Sequence, residues 1–409
     1  MTEVLLVELY GTVLGTISGA GKKMLLEFTD EARQRWGASS PILSCALPIG
    51  SRAVDVSSFV ANLLPDNEHL RAAVGLVHGV HGEDFFGLIG AIGMDCAGAV
   101  RIGTETRFAE ARTVSRNLLL SDADVAELIR ALPRRPMGAA ANVRVSLGGA
   151  QAKLLLARTP DGWAMPVDGA PSTHILKPEP LDMTRGYAAN EAFCMGLAQR
   201  CNLTTVASGV VGFQGWDTFV VERYDREVDV DGHVTRLHQE DFCQAHGRFG
   251  VEKYEAVGES RLGEMALTLN EWARRSDGSD QLLRCVVFHV VIGNADAHDK
   301  NFGLLHRADG SVQLAPMYDA TSTMWRASTI DTLASSVNSV KRIEAVTAGD
   351  FIVDGKAWRV RRAEAVVADI LERISVELAS ACLDSSVDEE MVGLMQTRCS
   401  KLLNQIAGP

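Results

Sequence analysis

The sequence has no surplus of positive charge: 40 Lys and Arg stand against 52 Asp and Glu, a formal net charge of -12. A surface of that sign repels a phosphate backbone unless one face is locally basic, which argues against independent binding of nucleic acid. The sequence also lacks any apolar run of the ~18 residues that a membrane-spanning helix needs. The stretch from Cys285 to Gly293 is half that length and contains His289, so no contact with a membrane is expected. The start, Met1-Thr2-Glu3-Val4-Leu5-Leu6-Val7, carries an acid where a secretory signal carries positive charge, and Gly11 soon interrupts the apolar run; a cytoplasmic location is expected. Cys45, Cys96, Cys194, Cys201, Cys243, Cys285, Cys382 and Cys399 form no CxxC pair, which disfavours a zinc knuckle or redox couple and favours buried thiols. Internal repeats and low-complexity tracts are absent as well, which excludes a solenoid and a disordered tail.

What is present is a chain of 409 residues, 46% hydrophobic, long enough for two or three substantial cores. Alternation from Val4 to Ile17 around Tyr10-Gly11-Thr12 predicts an antiparallel hairpin. Helical spacing follows near Asp30 to Trp36, in Ser57 to Leu64, which must stop before Pro65, and from Glu83 to Ile92. Thr104 to Pro136 is expected to hold a strand and a helix capped near Ser121-Asp122, and Pro133-Arg134-Arg135-Pro136 marks a boundary. Strand-like runs then occur at Val143 to Ser146, Lys153 to Arg158, Thr173 to Lys177, Val206 to Phe213 and Thr218 to Glu222, around one helix from Ala189 to Cys201. After Arg226 the recurrence becomes helical: Gln239 to Ala245, Arg261 to Ala273, Asp280 to Val291, Arg361 to Ala381 and Glu389 to Ile406. The expected divisions are 1–132, 133–226 and 227–409: a mixed α+β domain with its linker, a β-rich lobe and a helical lobe.

The most informative segment is Ile292-Gly293-Asn294-Ala295-Asp296-Ala297-His298-Asp299-Lys300-Asn301-Phe302, a polar stretch between an apolar helix and a short strand. Phosphoryl transfer needs a carboxylate to orient the attacking hydroxyl and an amide oxygen beside it to hold Mg²⁺; protein kinases place these as Asp and, five residues later, Asn. Asp296 and Asn301 have that spacing. Asp319, beyond the turn Arg307-Ala308-Asp309-Gly310, takes the place of the second metal-binding carboxylate, and Lys300 is positioned in sequence to neutralise charge on the phosphoryl group. An ordinary solvated turn is the competing explanation, since Asn, Asp, Gly and His favour turns. His298 suits packing or hydrogen bonding better than zinc, because its neighbours are hard oxygen donors suited to Mg²⁺.

Three further elements bear on ATP. In Ser146-Leu147-Gly148-Gly149-Ala150-Gln151-Ala152-Lys153, small residues at Gly148, Gly149 and Ala150 let backbone amides approach phosphates, with Ser146 and Gln151 as added donors. It is not a Walker motif, and a Gly-Gly hairpin explains it equally. Lys177 ends the strand-like run Thr173-His174-Ile175-Leu176-Lys177 ahead of a helix containing Glu191, as in kinases that aim a strand lysine at the α- and β-phosphates; an edge lysine is the alternative. In Phe219 to Arg226, where the β-rich half gives way to the helical half, Glu222 and Tyr224 are candidates to read adenine through their backbones and Asp225 to hold the ribose hydroxyls. Glu222, Tyr224 and Asp225 are each, taken alone, compatible with a plain strand end.

In combination these elements resemble the HipA family of bacterial toxin kinases over nearly the whole chain. Phe59 to Asp66 and Ile92 to Val100 resemble the two signatures of that family's N-terminal domain, Ser146 to Lys153 its phosphate loop, Thr173 to Lys177 its lysine strand and Val221 to Arg226 its hinge. Arg236 to Gln244 resembles the helix after the hinge, and Asp296 to Asn301 with Tyr318-Asp319 the catalytic loop and metal aspartate. The chain departs from the family at Leu147-Gly148-Gly149, where bulkier or alanine residues are usual, and at Ala152, where an acid is frequent. The resemblance implies an α+β fold with a kinase-like pair of lobes after a small α+β N-terminal domain. It implies ATP and Mg²⁺ as cofactors, Lys153 within the nucleotide site, autophosphorylation at Ser146, and a translation component such as an aminoacyl-tRNA synthetase as protein substrate. It also implies a HipB-like helix-turn-helix antitoxin, through which alone the chain would meet DNA. A small-molecule phosphotransferase of the same fold and a catalytically silent ATP-binding protein are the rival functions.

Overall fold

Tyr10 and Gly11 both take positive φ, 51° and 77°, the left-handed pair that a two-residue hairpin turn needs to match strand twist. In the computed structural model they join strands Leu5–Leu9 and Thr12–Ala20, as the alternation predicts. The structure describes residues 4–136, 142–149, 151–180, 186–273, 277–325, 331–381 and 386–407. It is an α+β protein, and by compactness it divides into two units. The first comprises 1–178, 211–250 and 305–311; the second comprises 179–210, 251–304 and 312–409. Helix Tyr187–Arg200, grouped by sequence with the β-rich segment, falls in the second unit.

The first unit opens on a five-stranded sheet ordered Val54–Asp55, Lys23–Phe28, Thr12–Ala20, Leu5–Leu9, Arg101–Gly103. Leu5, Leu9, Leu14, Ile17 and Leu26 join Phe59, Val60 and Ile89 from the adjoining helices in one buried cluster. Helix Ser57–Leu63 ends where Leu64 turns extended ahead of Pro65. A second sheet orders Trp216–Glu222, His174–Pro178, Leu154–Thr159, Gly162–Val167 and Arg116–Leu120 in antiparallel neighbours. Its core gathers Leu154, Leu156, Trp163, Leu176 and Val220 with Val125 and Ile129 of helix Asp122–Ala131, whose start is the Ser121–Asp124 capping box.

Several elements differ from expectation. Val143 to Ser146 forms no strand; Val145 makes only a single parallel bridge to Asp95. The stretch expected as helix from Gln239 to Ala245 is a strand, His238–Asp241, followed by one turn, Phe242–Ala245, because Asp241 caps the Gln244 amide. Strand Gly162–Val167 and helices Glu68–His78, Glu105–Val114 and Ala348–Ala357 are additional. Helix Glu105–Val114 buries only Phe108 and Ala111, too few residues for a legible apolar stripe; Thr104, capping the Arg107 amide, is its clearest signal.

The second unit is mainly helical: Arg261–Trp272, Gly278–Ile292, Ala363–Ala379 and Glu389–Ala407 lie close to their predicted spans. Helix Gly278–Ile292 is buried from Cys285 onward and packs against Arg261–Trp272, Ala348–Ala357, Ala363–Ala379 and Glu389–Ala407. That burial on every side fixes the point at which the polar loop after it begins.

Candidate catalytic site

Helix Gly278–Ile292 stops because Gly293 enters the left-handed region (φ 73°, ψ 35°), and the Asn294 amide closes the last turn on the His289 carbonyl at 2.9 Å. The Asn294 side chain then works in two directions. Its Nδ2 donates to His289 Nδ1 (3.1 Å), and its Oδ1 accepts from the Asp296 amide (3.1 Å). This local turn presents Asp296 at the surface, where the Tyr254 hydroxyl donates to its Oδ1 at 2.9 Å. The His298 amide donates to the Asp296 carbonyl at 2.9 Å and to Asn301 Oδ1 at 3.2 Å, and the Asn301 amide returns to the His298 carbonyl. A 3₁₀ turn, Asp299–Asn301, results, and Asn301 Nδ2 donates to Asp319 Oδ2 at 2.7 Å. Residues 18 apart in sequence thus meet side chain to side chain.

Asp319 carries φ 56°, a conformation that costs a non-glycine residue energy and persists where the surroundings impose it. Its backbone is anchored close by: the Tyr318 hydroxyl donates to the Lys300 carbonyl (2.9 Å), and the Met317 amide to the Leu203 carbonyl (3.0 Å). The Lys300 side chain is half-buried. His298 is buried and meets the Tyr254 ring edge-on at 5.3 Å. Burial first, and then the Lys253 ammonium, push its pKa down to about 4, so it packs as a neutral ring.

Two contacts of this loop were not legible in the sequence, those made by Arg261 and Tyr254. Asp299 has no exposed surface, and its Oδ2 lies 3.5 Å from the guanidinium of buried Arg261. That pair holds the middle of the loop from beneath, and the sign available in the sequence was an arginine among the apolar positions of helix Arg261–Trp272. Tyr254, the partner of Asp296, lies in irregular chain and offered no periodic signal.

The first unit holds the residues expected to bind nucleotide. Ser146 is fully buried; its Oγ donates to the Leu63 carbonyl at 2.7 Å, and its amide donates to the Asp95 carbonyl at 3.0 Å. Gly149 has φ 110°, a backbone conformation that strains any residue with a Cβ and so favours glycine. Lys153 Nζ donates to the Gly148 carbonyl at 2.8 Å, Gln151 is exposed, and Ala150 lies outside the described residues. Lys177, opposite Phe219 in the sheet, holds its ammonium 5.9 Å from that ring's centroid. Glu222 is exposed at its strand end, and the Tyr224 hydroxyl donates to Gln239 Oε1.

Asp225 is placed differently from the ribose contact expected of it. It is buried, with Oδ1 on Arg223 Nε (2.9 Å) and Oδ2 on the Gly98 amide (2.6 Å), so both oxygens are engaged within the protein. It belongs to an ion cluster that the sequence did not reveal. Asp95, itself buried, accepts from Ser172 Oγ (2.7 Å), and its carboxylate lies 2.9 Å from Arg226, 3.3 Å from Arg236 and 3.7 Å from Arg223. The same Asp95 meets the Ser146 segment through its backbone, so one residue joins that irregular segment to the buried arginines Arg223, Arg226 and Arg236.

The HipA-like C-terminal domain family matches residues 145–381, and the HipA N-terminal domain family matches residues 5–103. The chain belongs to the HipA family. Among relatives, a putative kinase Y4mE of Sinorhizobium fredii is 38% identical over 271 residues, covering 65% of this chain and 64% of that protein. The chain therefore spans just under two thirds of that relative's length in the match. The serine/threonine-protein kinase toxin HipA of Shewanella oneidensis is 29% identical over 309 residues, covering 70% of this chain and 68% of that toxin. The solved Shewanella oneidensis complex of HipA, HipB and operator DNA superposes with a TM-score of 0.76 at 23% identity, covering 98% of this chain and 96% of that one, which establishes a HipA-type α+β fold. Among the described residues no helix is long and apolar enough to cross a membrane.

Proposed function

We propose that this HipA-family chain is an ATP- and Mg²⁺-dependent Ser/Thr protein kinase. The observation that carries the proposal is the meeting of Asn301 with Asp319, 2.7 Å apart, a few residues from a surface-presented Asp296. The donor set fits Mg²⁺: a carboxylate and an amide oxygen, both hard, on a backbone already bent to present Asp319. Asn301 Oδ1 accepts from the His298 amide and keeps a second lone pair for the ion. Bound there, Mg²⁺ would neutralise charge on the transferring phosphoryl group. Asp296 orients the acceptor hydroxyl and takes its proton, and Lys300 adds positive charge. Ser146, Gly148, Gly149, Ala150, Gln151, Lys153, Lys177, Glu222 and Tyr224 are assigned to the nucleotide. For Asp225 the buried ion cluster supports a structural role in place of ribose binding.

The family supports the finer assignments: a translation component as protein substrate, a cytoplasmic site of action, and a HipB-like antitoxin through which DNA is met; the solved Shewanella assembly contains HipA, HipB and operator DNA together. Ser146 is assigned as the autophosphorylation site. A phosphate adds about -1.5 to -2 charges, and a fully buried position bonded to Leu63 cannot hold it; phosphorylation therefore requires the segment to leave its place.

The test is transfer of labelled γ-phosphate from ATP to lysate proteins by the wild type and by Asp296→Asn. Labelled protein that disappears in the variant is the expected result. Label only on small molecules would transfer the assignment to a small-molecule phosphotransferase, and ATP binding without transfer would make the chain a silent binding protein.

A further inference from the structure

Apart from the phosphotransfer residues, one buried cluster in the first unit has an incomplete set of partners. Glu240 and His306 are 0% and 1% exposed. Glu240 Oε1 accepts from the Cys45 amide and lies against His306 Nε2, both at 2.9 Å. Its second oxygen, Oε2, is buried with no hydrogen-bond partner among the described residues, and so is Nδ1 of His306. No Lys or Arg pairs with Glu240 among those residues. Ligand atoms of Cys45, Glu240 and His306 all lie within 4.8 Å of one another.

Proton placement alone does not complete this cluster. With His306 neutral, its Nε2–H bonds Glu240, but a carboxylate is left buried without a counter-charge and Nδ1 keeps an unused lone pair. With His306 protonated the charges balance, but a buried Nδ1–H then has no acceptor. Glu240 Oε2 stays unpartnered in both cases. A divalent cation supplies the missing charge and takes up donor atoms.

We propose that Cys45, Glu240 and His306 form a metal site, with zinc the fitting ion and water as the fourth ligand. Thiolate, imidazole and carboxylate are the zinc donor set, and bonds of ~2.0–2.3 Å place tetrahedral ligands about 3.5 Å apart, within reach of the observed cluster. On binding, the Cys45 thiol releases its proton to solvent and the ionised Glu240 carboxylate needs no change. His306 turns a lone pair to the ion. Cys45 is the half-buried member, which leaves the ion a way in. The surrounding framework is fixed: the Tyr10 hydroxyl donates to the His306 carbonyl and accepts from the His238 amide at 2.8 Å, while Ser44 Oγ donates to the Gln244 carbonyl. His238 is not a ligand. Its Nε2–H donates to the Leu43 carbonyl, and its Nδ1 faces Gly98, where an added Cβ would be 2.7 Å away. The ion would staple three stretches far apart in sequence, one of them the strand Gly303–His306 that follows the catalytic loop.

Full-length chain stripped with chelator and titrated with Co²⁺ in excess Mg²⁺ tests this, because Mg²⁺ keeps the hard-oxygen site filled. One equivalent should bind with a thiolate-to-cobalt charge-transfer band, and Zn²⁺ should displace it. Cys45→Ser should abolish the band, and His306→Gln should weaken uptake roughly 10-fold or more. Asp319→Asn should leave both unchanged. No stoichiometric uptake by the wild type, or uptake indifferent to Cys45→Ser and His306→Gln in variants with wild-type circular dichroism, would overturn the proposal.

Discussion

Replacing Asp95 by asparagine should be among the most damaging single-atom changes in this protein. The carboxylate lies against three guanidiniums, those of Arg226, Arg236 and Arg223, and accepts from both the hydroxyl and the amide of Ser172. Among the described residues Asp225 would remain as the anion paired with these arginines, and the new amide would point N–H donors at existing donors. Removing one partner of a buried ion cluster costs about 3–5 kcal/mol, because charge is left uncompensated where water cannot reach. Against a total stability of roughly 5–15 kcal/mol, that loss corresponds to a melting temperature lowered by about 6–20 °C. Calorimetry of Asp95→Asn, Arg226→Met and the double variant provides the measurement, and the double variant should lose less than the sum of the singles. A melting temperature within about 2 °C of wild type for Asp95→Asn would refute the reasoning. The pH dependence has a definite sign. Burial pushes the Asp95 and Asp225 carboxyls up, but the arginines outweigh it and hold both below the usual range, so their stabilisation is fully present above the unfolded carboxyl pKa of about 4 and is lost as pH falls toward the folded values.

Other outcomes follow from the same structure. Arg261→Met removes a buried guanidinium 3.5 Å from the buried Asp299 carboxylate and should lower stability by about 3 kcal/mol, read as an earlier denaturation midpoint; an unchanged midpoint would remove Arg261 as support of the loop. Asp296→Asn and Asp319→Asn should each lower phosphoryl transfer about 10³-fold or more while melting as the wild type does; near-native transfer by either folded variant would remove that residue from the chemistry. Ser146→Asp places a charge where the wild type is fully buried, so it should weaken ATP binding while Ser146→Ala retains it; equal affinities in calorimetric titrations would count against a switch at this serine. The isolated chain should leave operator DNA unshifted in a gel at physiological salt, given its net charge of -12, and a shift without a partner would contradict this.

Much of the loop from Gly293 to Asn301 was legible in the sequence, because its signals are local. Gly293 ends the helix by its own left-handed preference, Asn294 caps the turn that exposes Asp296, and a five-residue spacing brings Asn301 round one 3₁₀ turn. The hairpin at Tyr10-Gly11 and the stop at Leu64-Pro65 are local in the same sense. What tertiary structure alone decided depends on contacts between residues far apart in sequence. Asp225 looked like a ribose ligand by position, but Gly98 and the neighbouring arginines claim both of its oxygens. Asp95 lies 131 positions from Arg226 and 77 from Ser172, and no periodicity links them. Cys45, Glu240 and His306 likewise carry no spacing signature, and it is chain folding that brings their donor atoms within 4.8 Å. A sequence displays interactions closed within a turn or two of backbone; charge compensation in a buried interior is settled only when distant segments meet, since an ion taken out of water must find its counter-charge wherever the fold supplies one.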